Sequence, residues 1–173
     1  MLDTRSSARR NLLHLSNTFQ YVGLSGVSAQ QLFLGRPGKV YIVDKTEGNN
    51  ATVNGHPAWA TEYDLATNTF RAMDVYSNSF CAGGIVLGNG TWLNVGGNQA
   101  IGYGGNAVTA GTTPYDDYDG GMAIRLLDTC DDESCNWLDD PALYMTSRRW
   151  YPTLETLEDG SAIILEGANT VDT

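Results

Sequence analysis

The side chains best suited to chemistry in this 173-residue sequence are three cysteines, two histidines and nine tyrosines. Cys130 and Cys135 stand close together in the segment DTCDDESCNW, which favours a local disulfide across a tight loop and leaves free thiols as the alternative. A zinc site usually needs four ligands in paired short spacings, and His14 and His56 each stand alone. The cysteine pair therefore points to an oxidising, extracellular compartment.

An internal repeat links the third cysteine to one of the tyrosines. The segments GNGTWLNVGG (88–97) and EDGSAIILEG (158–167) each consist of a turn, an apolar strand and a closing glycine, and they are offset by 70 residues. The same offset carries Cys81 onto Tyr151. Because equivalent positions of consecutive repeats lie side by side, a thiol and a phenol that can both bind a metal are predicted to be neighbours.

The same two residues also have an ordinary structural interpretation. Cys81, which is followed closely by two glycines, would serve as a small buried hydrophobic residue. Tyr151 would be packed in the core with its hydroxyl hydrogen-bonded. The repeat pattern taken alone favours this packing role over a chemical one.

The elements that must position these residues are short β-strands. Runs rich in Val, Ile, Tyr, Trp and Thr alternate with turns that contain glycine. The predicted strands are Val40–Asp44, Trp59–Asp64, Thr91–Val95, Ala123–Leu127 and Ser161–Leu165. Tight hairpin turns are predicted at Asn54-Gly55, Asn89-Gly90 and Asp159-Gly160. The one helical pattern is short and lies around Ser7–Leu15.

A second pair of matched segments extends the repeat. WATEYDLATNTF (59–70) and MAIRLLDTCDDESCNW (122–137) each contain a strand, an aspartate, a polar turn and then an aromatic residue. Combined with the first pair, this order is typical of kelch blades, which are four-stranded sheets around a propeller axis with a period of about 50 residues. The glycine-rich insert Gly102–Gly121 accounts for the longer offset and is expected to form a loop. The sequence predicts an all-β, kelch-type β-propeller that is incomplete, with about two to three blades.

The composition of the chain limits which binding partners and which cellular compartment are expected. The formal net charge of -10 argues against nucleic acid as a partner. No stretch approaches the length of a membrane span, and the apolar run Asn11–Leu15 is too short for a signal-peptide core. The sequons at Asn50 and Asn89 predict glycosylation and favour secretion. A secreted protein without a visible signal peptide suggests an incomplete gene model.

Acidic residues are concentrated between positions 116 and 140. Calcium binding would be one use for them, but their spacing fits no EF-hand loop. Solvated acidic turns are the favoured interpretation. The acidic residues are Asp116, Asp117, Asp119, Asp128, Asp131, Asp132, Glu133, Asp139 and Asp140.

Four segments in order carry a resemblance to a known family: GVSAQQLFLGRPGKVYIVDKTEGN, HPAWATEYDLATNTF, NSFCAGGIVLGNGTWLNVGGNQ and RRWYPTLETLEDGS. They resemble the amino-terminal part of fungal glyoxal oxidases, copper radical oxidases related to galactose oxidase. The similarity runs from about Tyr21 to Gly167. Residues 1–20 are an unmatched stretch, expected to be a short helix or disordered, and residues 21–173 correspond to a propeller portion truncated at a blade boundary.

The resemblance implies a radical cofactor in which a cysteine sulfur is joined to the ring of a tyrosine that also binds copper. Carried onto this sequence, those residues are Cys81 and Tyr151. Two-electron oxidation needs a second electron acceptor beside mononuclear copper, and a phenol bearing a sulfur substituent forms a radical more easily. Copper ligation keeps the phenol deprotonated. The expected substrates are dioxygen with small aldehydes or alcohols, giving a carboxylic acid or an aldehyde and hydrogen peroxide.

The resemblance also implies ligands that this sequence does not contain. The family takes a second, axial tyrosine and two histidines from later blades, and neither His14 nor His56 lies in a matching motif. A tyrosine alone is a poor copper site, because several donors must be held together. This polypeptide alone is therefore expected to be inactive and to need the remainder of the propeller. The alternatives are a non-catalytic kelch-type binding module and a truncated gene product without function.

Overall fold

The computed structural model describes residues 19–112 and 114–168. Within those ranges the chain forms twelve short β-strands and two single-turn 3-10 segments, Tyr103–Gly105 and Pro141–Leu143. The prediction of an all-β chain is confirmed. The predicted helix around Ser7–Leu15 and His14 lie outside the described residues.

None of the helices in the described ranges has the length and apolar character needed to cross a membrane.

The first sheet has four antiparallel strands in the order β1-β2-β5-β6. They are β1 (Gln31–Arg36), β2 (Lys39–Val43), β5 (Ala60–Asp64) and β6 (Thr69–Met73). A separate two-stranded hairpin, β3 (Thr52–Val53) and β4 (His56–Pro57), interrupts the connection between β2 and β5. The turn of this hairpin is formed by Asn54 and Gly55, which both have positive φ, as the sequence predicts.

The second sheet repeats this arrangement, with antiparallel order β10-β9-β8-β7. Its strands are β7 (Gly83–Val86), β8 (Trp92–Val95), β9 (Ile124–Leu127) and β10 (Leu138–Asp139). A final antiparallel hairpin follows, formed by β11 (Thr153–Thr156) and β12 (Ala162–Leu165). The insert Gly102–Gly121 lies between β8 and β9 and contributes no strand among its described residues, as expected of a loop.

The predicted repeat appears as two matched hairpins. β7–β8 and β11–β12 have the same lengths and the same register, with Gly83 opposite Val95 and Thr153 opposite Leu165. The hairpins also touch at their turns, where the N–H of Gly88 donates to the carbonyl of Gly160 at 2.9 Å. Equivalent positions in the two repeats therefore do lie side by side.

The five predicted strands all form, each displaced by no more than one residue at either end. Five other strands in the two sheets and the final hairpin were not predicted: β1, β6, β7, β10 and β11. Two of the unpredicted strands, β7 and β11, directly follow Cys81 and Tyr151.

Two of the three apolar cores in the described residues join these sheets. One is shared by both four-stranded sheets and includes Tyr41, Trp59 and Leu127, each fully buried. The other joins the second sheet to the final hairpin through Leu93 and Leu154. Each fully buried large apolar side chain contributes about 1.5–3 kcal/mol to folding, before the entropy of ordering is counted.

Candidate functional site

Cys81 lies in a buried turn directly before β7. Its φ is +62°, in the left-handed region that few side chains other than those of Asn and Asp adopt readily. The side chain is buried and takes no part in a disulfide. The preceding residues Ser77, Asn78 and Ser79 are also buried although all are polar, so side-chain hydrogen bonds must hold this turn.

Tyr151 occupies the same position before β11. Its φ is +57°, nearly the value of Cys81. Its surroundings differ, because 61% of Tyr151 is exposed to solvent whereas 2% of Cys81 is exposed. The phenol thus lies at the open edge of a site whose thiol is enclosed.

The two turns are joined through their backbones. The N–H of Tyr151 donates to the carbonyl of Cys81 at 2.9 Å. Glycine is required close by, since a Cβ on Gly83 would lie 2.6 Å from the carbonyl oxygen of Pro152 and 2.3 Å from a side-chain carbon of Leu154. Gly83 therefore allows the two hairpins to approach closely enough for this contact.

The thiol and the phenol are close enough to influence each other's ionisation. Burial raises the pKa of the Cys81 thiol, while its contacts with Tyr151, Gln30 and Trp150 act in the opposite direction. The neighbouring Cys81 side chain in turn raises the pKa of the Tyr151 phenol. The indole of Trp150 lies against Tyr151, with 4.7 Å between ring centroids and 55° between ring planes. The predicted juxtaposition of Cys81 and Tyr151 is present.

Two curated plant proteins are similar in sequence. Aldehyde oxidase GLOX1 of Arabidopsis thaliana is 30% identical over 125 residues, which is 71% of this chain and 17% of that protein. Aldehyde oxidase GLOX of Vitis pseudoreticulata is 30% identical over 112 residues, which is 63% of this chain and 18% of that protein. The chain belongs to the glyoxal oxidase-like copper radical oxidases. It spans less than a fifth of the length of these relatives.

A solved structure shares the fold of this glyoxal oxidase-like chain. It is a fungal alcohol oxidase of the AA5 family in complex with copper, with a TM-score of 0.50 and 18% sequence identity. The match covers 77% of this chain and 24% of that one. No family model matches the sequence.

The described residues of this family member do not complete a copper site around Tyr151. His56 is buried, and its ring nitrogens face the carbonyl of Pro57 at 2.8 Å and Asp74 Oδ1 at 3.0 Å. Among the His, Cys, Asp and Glu side chains of residues 19–112 and 114–168, the group of three that could hold a metal ion is Glu62 with the disulfide-bonded Cys130 and Cys135. The described residues thus offer copper the phenol of Tyr151 beside the Cys81 sulfur, while both ring nitrogens of His56 are engaged elsewhere.

Cys130 and Cys135 are paired as a disulfide in the structure, with 5.6 Å between their Cα atoms. Their loop is docked on the first sheet, where the hydroxyl of Tyr41 donates to the carbonyl of Cys130 at 3.3 Å. Arg71 Nη2 donates to the carbonyl of Cys135 at 3.0 Å. The loop therefore fastens the second sheet to the first, well separated in sequence from Cys81.

The prediction that the acidic residues lie in solvated turns is wrong for Asp117 and Asp139. Asp117 is buried and accepts hydrogen bonds from Ile101 N at 3.2 Å and Asn78 Nδ2 at 3.1 Å. Burial raises the pKa of Asp117 to about 6. The Asp139 carboxylate is also buried, and although burial opposes it, the charge of Arg125 lowers the pKa of Asp139. Both carboxylates are hydrogen-bonded parts of the interior around the Cys81 turn.

Sequence reasoning missed three residues in that interior: Gln31, Asn94 and Arg125. Arg125 is fully buried, and Asn94 is 2% exposed. A signal was available for Arg125, since it is the single charge in the otherwise apolar run MAIRLL. A charge at the centre of a buried strand is rarely tolerated without several hydrogen-bond partners.

Proposed function

We propose that this chain is one part of a copper radical oxidase that oxidises small aldehydes or alcohols with dioxygen and releases hydrogen peroxide. The product would be a carboxylic acid from an aldehyde or an aldehyde from an alcohol. The observation that carries the proposal is the contact between Cys81 and Tyr151, made by the backbone hydrogen bond at 2.9 Å that joins their two turns.

Cys81 and Tyr151 are the residues that would form the radical cofactor. A bond would form between Cys81 Sγ and a ring carbon beside the phenol oxygen, while the S–H bond and one ring C–H bond break. The two electrons and two protons released would pass to dioxygen, which becomes hydrogen peroxide. The enclosed thiol would supply the sulfur, and the exposed phenol would remain accessible.

Copper, when bound, would accept one of the two electrons that each oxidation removes. The other would come to Tyr151, where the sulfur substituent would spread the unpaired electron over a larger π-system. The phenol would have to be deprotonated for this role. Its pKa is raised by the neighbouring thiol, so a nearby positive charge would be needed to hold the phenolate at neutral pH.

The strand arrangement supports a kelch-type propeller. Each of the two sheets is a four-stranded antiparallel unit with the same strand order, and the final hairpin supplies the first two strands of a third unit. Leu157, Ile163 and Leu165 on this hairpin are substantially exposed. We propose that the remainder of the ring covers them, brings a tyrosine and two histidines to Tyr151, and is needed for activity.

A secreted location is part of the proposal. The disulfide between Cys130 and Cys135 suits an oxidising compartment. Asn50 and Asn89 are both exposed, as glycosylation of their sequons would require.

The proposal is tested in the longer protein, meaning this chain together with the residues that supply the missing ligands, produced with copper in air. Thioether formation should remove two hydrogens from the intact mass and protect Cys81 from alkylation. The variant Cys81→Ser should sharply lower peroxide production while the protein remains folded. Full alkylation of Cys81 after copper loading, or unchanged peroxide production by the variant, would refute the proposal.

The alternative is a non-catalytic kelch-type binding module. A groove of about 500 Å³ lined by Tyr76, Tyr118, Met122 and Tyr144 favours it, since aromatic side chains are typical of binding surfaces. A truncated product without function is the third possibility. The same experiment identifies a binding module, because such a module folds without forming the thioether. Expression of this chain alone tests the third possibility, because a truncated product does not fold.

A further inference from the structure

Arg125 lies at the centre of a hydrogen-bonded network beneath the site. The side chain is fully buried, and a guanidinium in such a place needs partners for its five N–H donors. Its Nε donates to Ser77 Oγ at 2.8 Å, and its Nη2 donates to the carbonyl of Asn78 at 3.2 Å. The carboxylate of Asp139 lies 3.8 Å from Nε and supplies the opposing charge.

The same guanidinium reaches the other end of the Cys81 turn through two amides. Arg125 Nη1 donates to Asn94 Oδ1 at 2.7 Å, and Asn94 Nδ2 donates to Gln31 Oε1 at 2.8 Å. Gln31 Nε2 then donates to the carbonyl of Ala82. Because Ser77 and Asn78 precede Cys81 and Ala82 follows it, the network holds the turn from both sides.

The network also extends to the segment before β11 that carries Tyr151. Arg125 Nη1 donates a second hydrogen bond, to the carbonyl of Gly96 at 2.8 Å. The next residue, Gly97, donates from its N–H to the carbonyl of Arg149 at 3.1 Å, two residues before Tyr151. One buried cation thus connects the segments that hold the thiol and the phenol.

A purely structural role explains these hydrogen bonds less well than a role in positioning Cys81. The hydrogen bonds converge on the residues around Cys81, whose positive φ is not favoured by its own side chain. Gln31 comes from the first sheet and crosses to Ala82 in the turn before β7 of the second. The sheets already share an apolar core, so this polar contact is not needed to bring them together.

We propose that Gln31, Asn94 and Arg125 are positioning residues that hold the Cys81 sulfur at the ring of Tyr151 for thioether formation. This inference rests on the proposed function. The bond made and the electrons lost are those of the thioether step, with dioxygen as the oxidant. A looser turn would still contain both Cys81 and Tyr151. The Cys81 sulfur would, however, lie within bonding distance of the Tyr151 ring for a smaller fraction of the time.

The test uses Gln31 in the longer protein. Gln31→Met removes both of its hydrogen bonds at similar volume, and Gln31→Glu keeps an acceptor for Asn94 but cannot donate to Ala82. Tyr63→Phe is the matched control, because it deletes a hydrogen bond to Asn68 at the far end of the first sheet. The rate of cross-linking is measured as the loss of two hydrogens from the intact mass after copper is added in air. The rate of Cys81 alkylation before copper is added and the midpoint of unfolding are measured as well.

We expect both Gln31 variants to cross-link about 10- to 100-fold more slowly than the wild type, a range typical of small misplacements of reacting groups. Both should also alkylate faster at Cys81, and Tyr63→Phe should change neither rate. The inference would be overturned if a folded Gln31→Glu variant cross-linked and was alkylated at the same rates as the wild type. If the wild type itself does not cross-link, the proposed function fails, and the alkylation rates still decide whether Gln31 holds the turn.

Discussion

The Cys81 hairpin and the Tyr151 hairpin have the same backbone and different surroundings. Strand lengths, register and the positive φ before the first strand agree between the two. The Cys81 hairpin is part of a complete four-stranded sheet and its turn is held by buried polar groups, whereas Tyr151 is 61% exposed. The comparison shows that the sequence of this chain builds the thiol side of the site and leaves the phenol side open.

This difference assigns separate tasks to the two copies of the repeat. Around Cys81, side chains that are far apart in sequence fix the position of the turn, as the hydrogen bond from Asn78 Nδ2 to Asp117 illustrates. Around Tyr151, the hydrogen bond to Cys81 and the tilted contact with Trp150 are the main constraints that the described residues provide. Substitutions on the thiol side should therefore cost stability, and substitutions of the phenol should mainly cost chemistry.

The largest effect is expected from comparing the glycines that close the two hairpins. A Cβ on Gly97 (φ +133°) would lie 2.2 Å from the carbonyl oxygen of Asn78, whereas one on Gly167 (φ +99°) would lie 3.2 Å from Arg149. Gly97→Ala should lower the free energy of unfolding by about 2–4 kcal/mol, because backbone strain and a clash combine. Gly167→Ala should cost about 1–2 kcal/mol, since strain dominates there.

Urea-induced unfolding of the longer protein measures both values. A cost for Gly97→Ala no larger than that for Gly167→Ala would break the comparison, because it would mean that the Cys81 turn is free to move away from the added methyl group.

A smaller effect, which depends on pH, is expected from Asp117 on the thiol side. Burial raises its pKa to about 6, above the value of about 3.9 in an unfolded chain. Between these values the folded protein binds a proton that the unfolded chain releases, so the contribution of Asp117 to stability falls as pH rises from about 4 to about 6 and is constant above that. As pH rises across this interval, the free energy of unfolding of the wild type should fall by about 2–3 kcal/mol relative to that of Asp117→Asn.

Unfolding free energies of the wild type and Asp117→Asn at pH 4, 5, 6 and 7 check this expectation. The exposed neighbour Asp116 provides the control, because Asp116→Asn replaces a carboxylate in contact with solvent. A difference between the wild type and Asp117→Asn that does not change with pH would contradict the burial of a charged carboxylate beneath the Cys81 turn.

The smallest effect on stability is expected at Tyr151. Tyr151→Phe removes a hydroxyl from an exposed ring and should change the free energy of unfolding by less than about 0.5 kcal/mol. Tyr41→Phe is the buried comparison, since its hydroxyl donates to Cys130 and its loss should cost about 1 kcal/mol. The phenol side would be more constrained than we infer if Tyr151→Phe proved as costly as Tyr41→Phe in thermal unfolding.

The parts of the fold that the sequence predicted are those with strong local patterns. Thr91–Val95 and Ser161–Leu165 are apolar runs that follow a turn ending in glycine, and each contains its observed strand. β7 was missed because Gly83 and Gly84 read as turn residues, although Gly83 is needed for close packing against Pro152. β11 was missed because its sequence, TLET, alternates without a run of apolar residues.

The site was predicted to the extent that the repeat is regular. The offset alone placed Cys81 beside Tyr151, because identical hairpins stack with equivalent residues adjacent. The network around Cys81 was not predictable in this way, since Arg125 finds its partners at positions up to 48 residues away. Asp117 was mistaken for a solvated residue because its burial depends on Asn78, which is 39 residues away.

The most direct measurement is peptide mass mapping of the longer protein after exposure to copper and air. The account predicts a single cross-linked species that contains the peptides of Cys81 and Tyr151 and weighs two hydrogens less than their sum. It also predicts that this species is absent when copper is withheld. Recovery of both peptides separately, with Cys81 as an intact thiol after copper loading, would contradict the claim that this pair forms the radical cofactor.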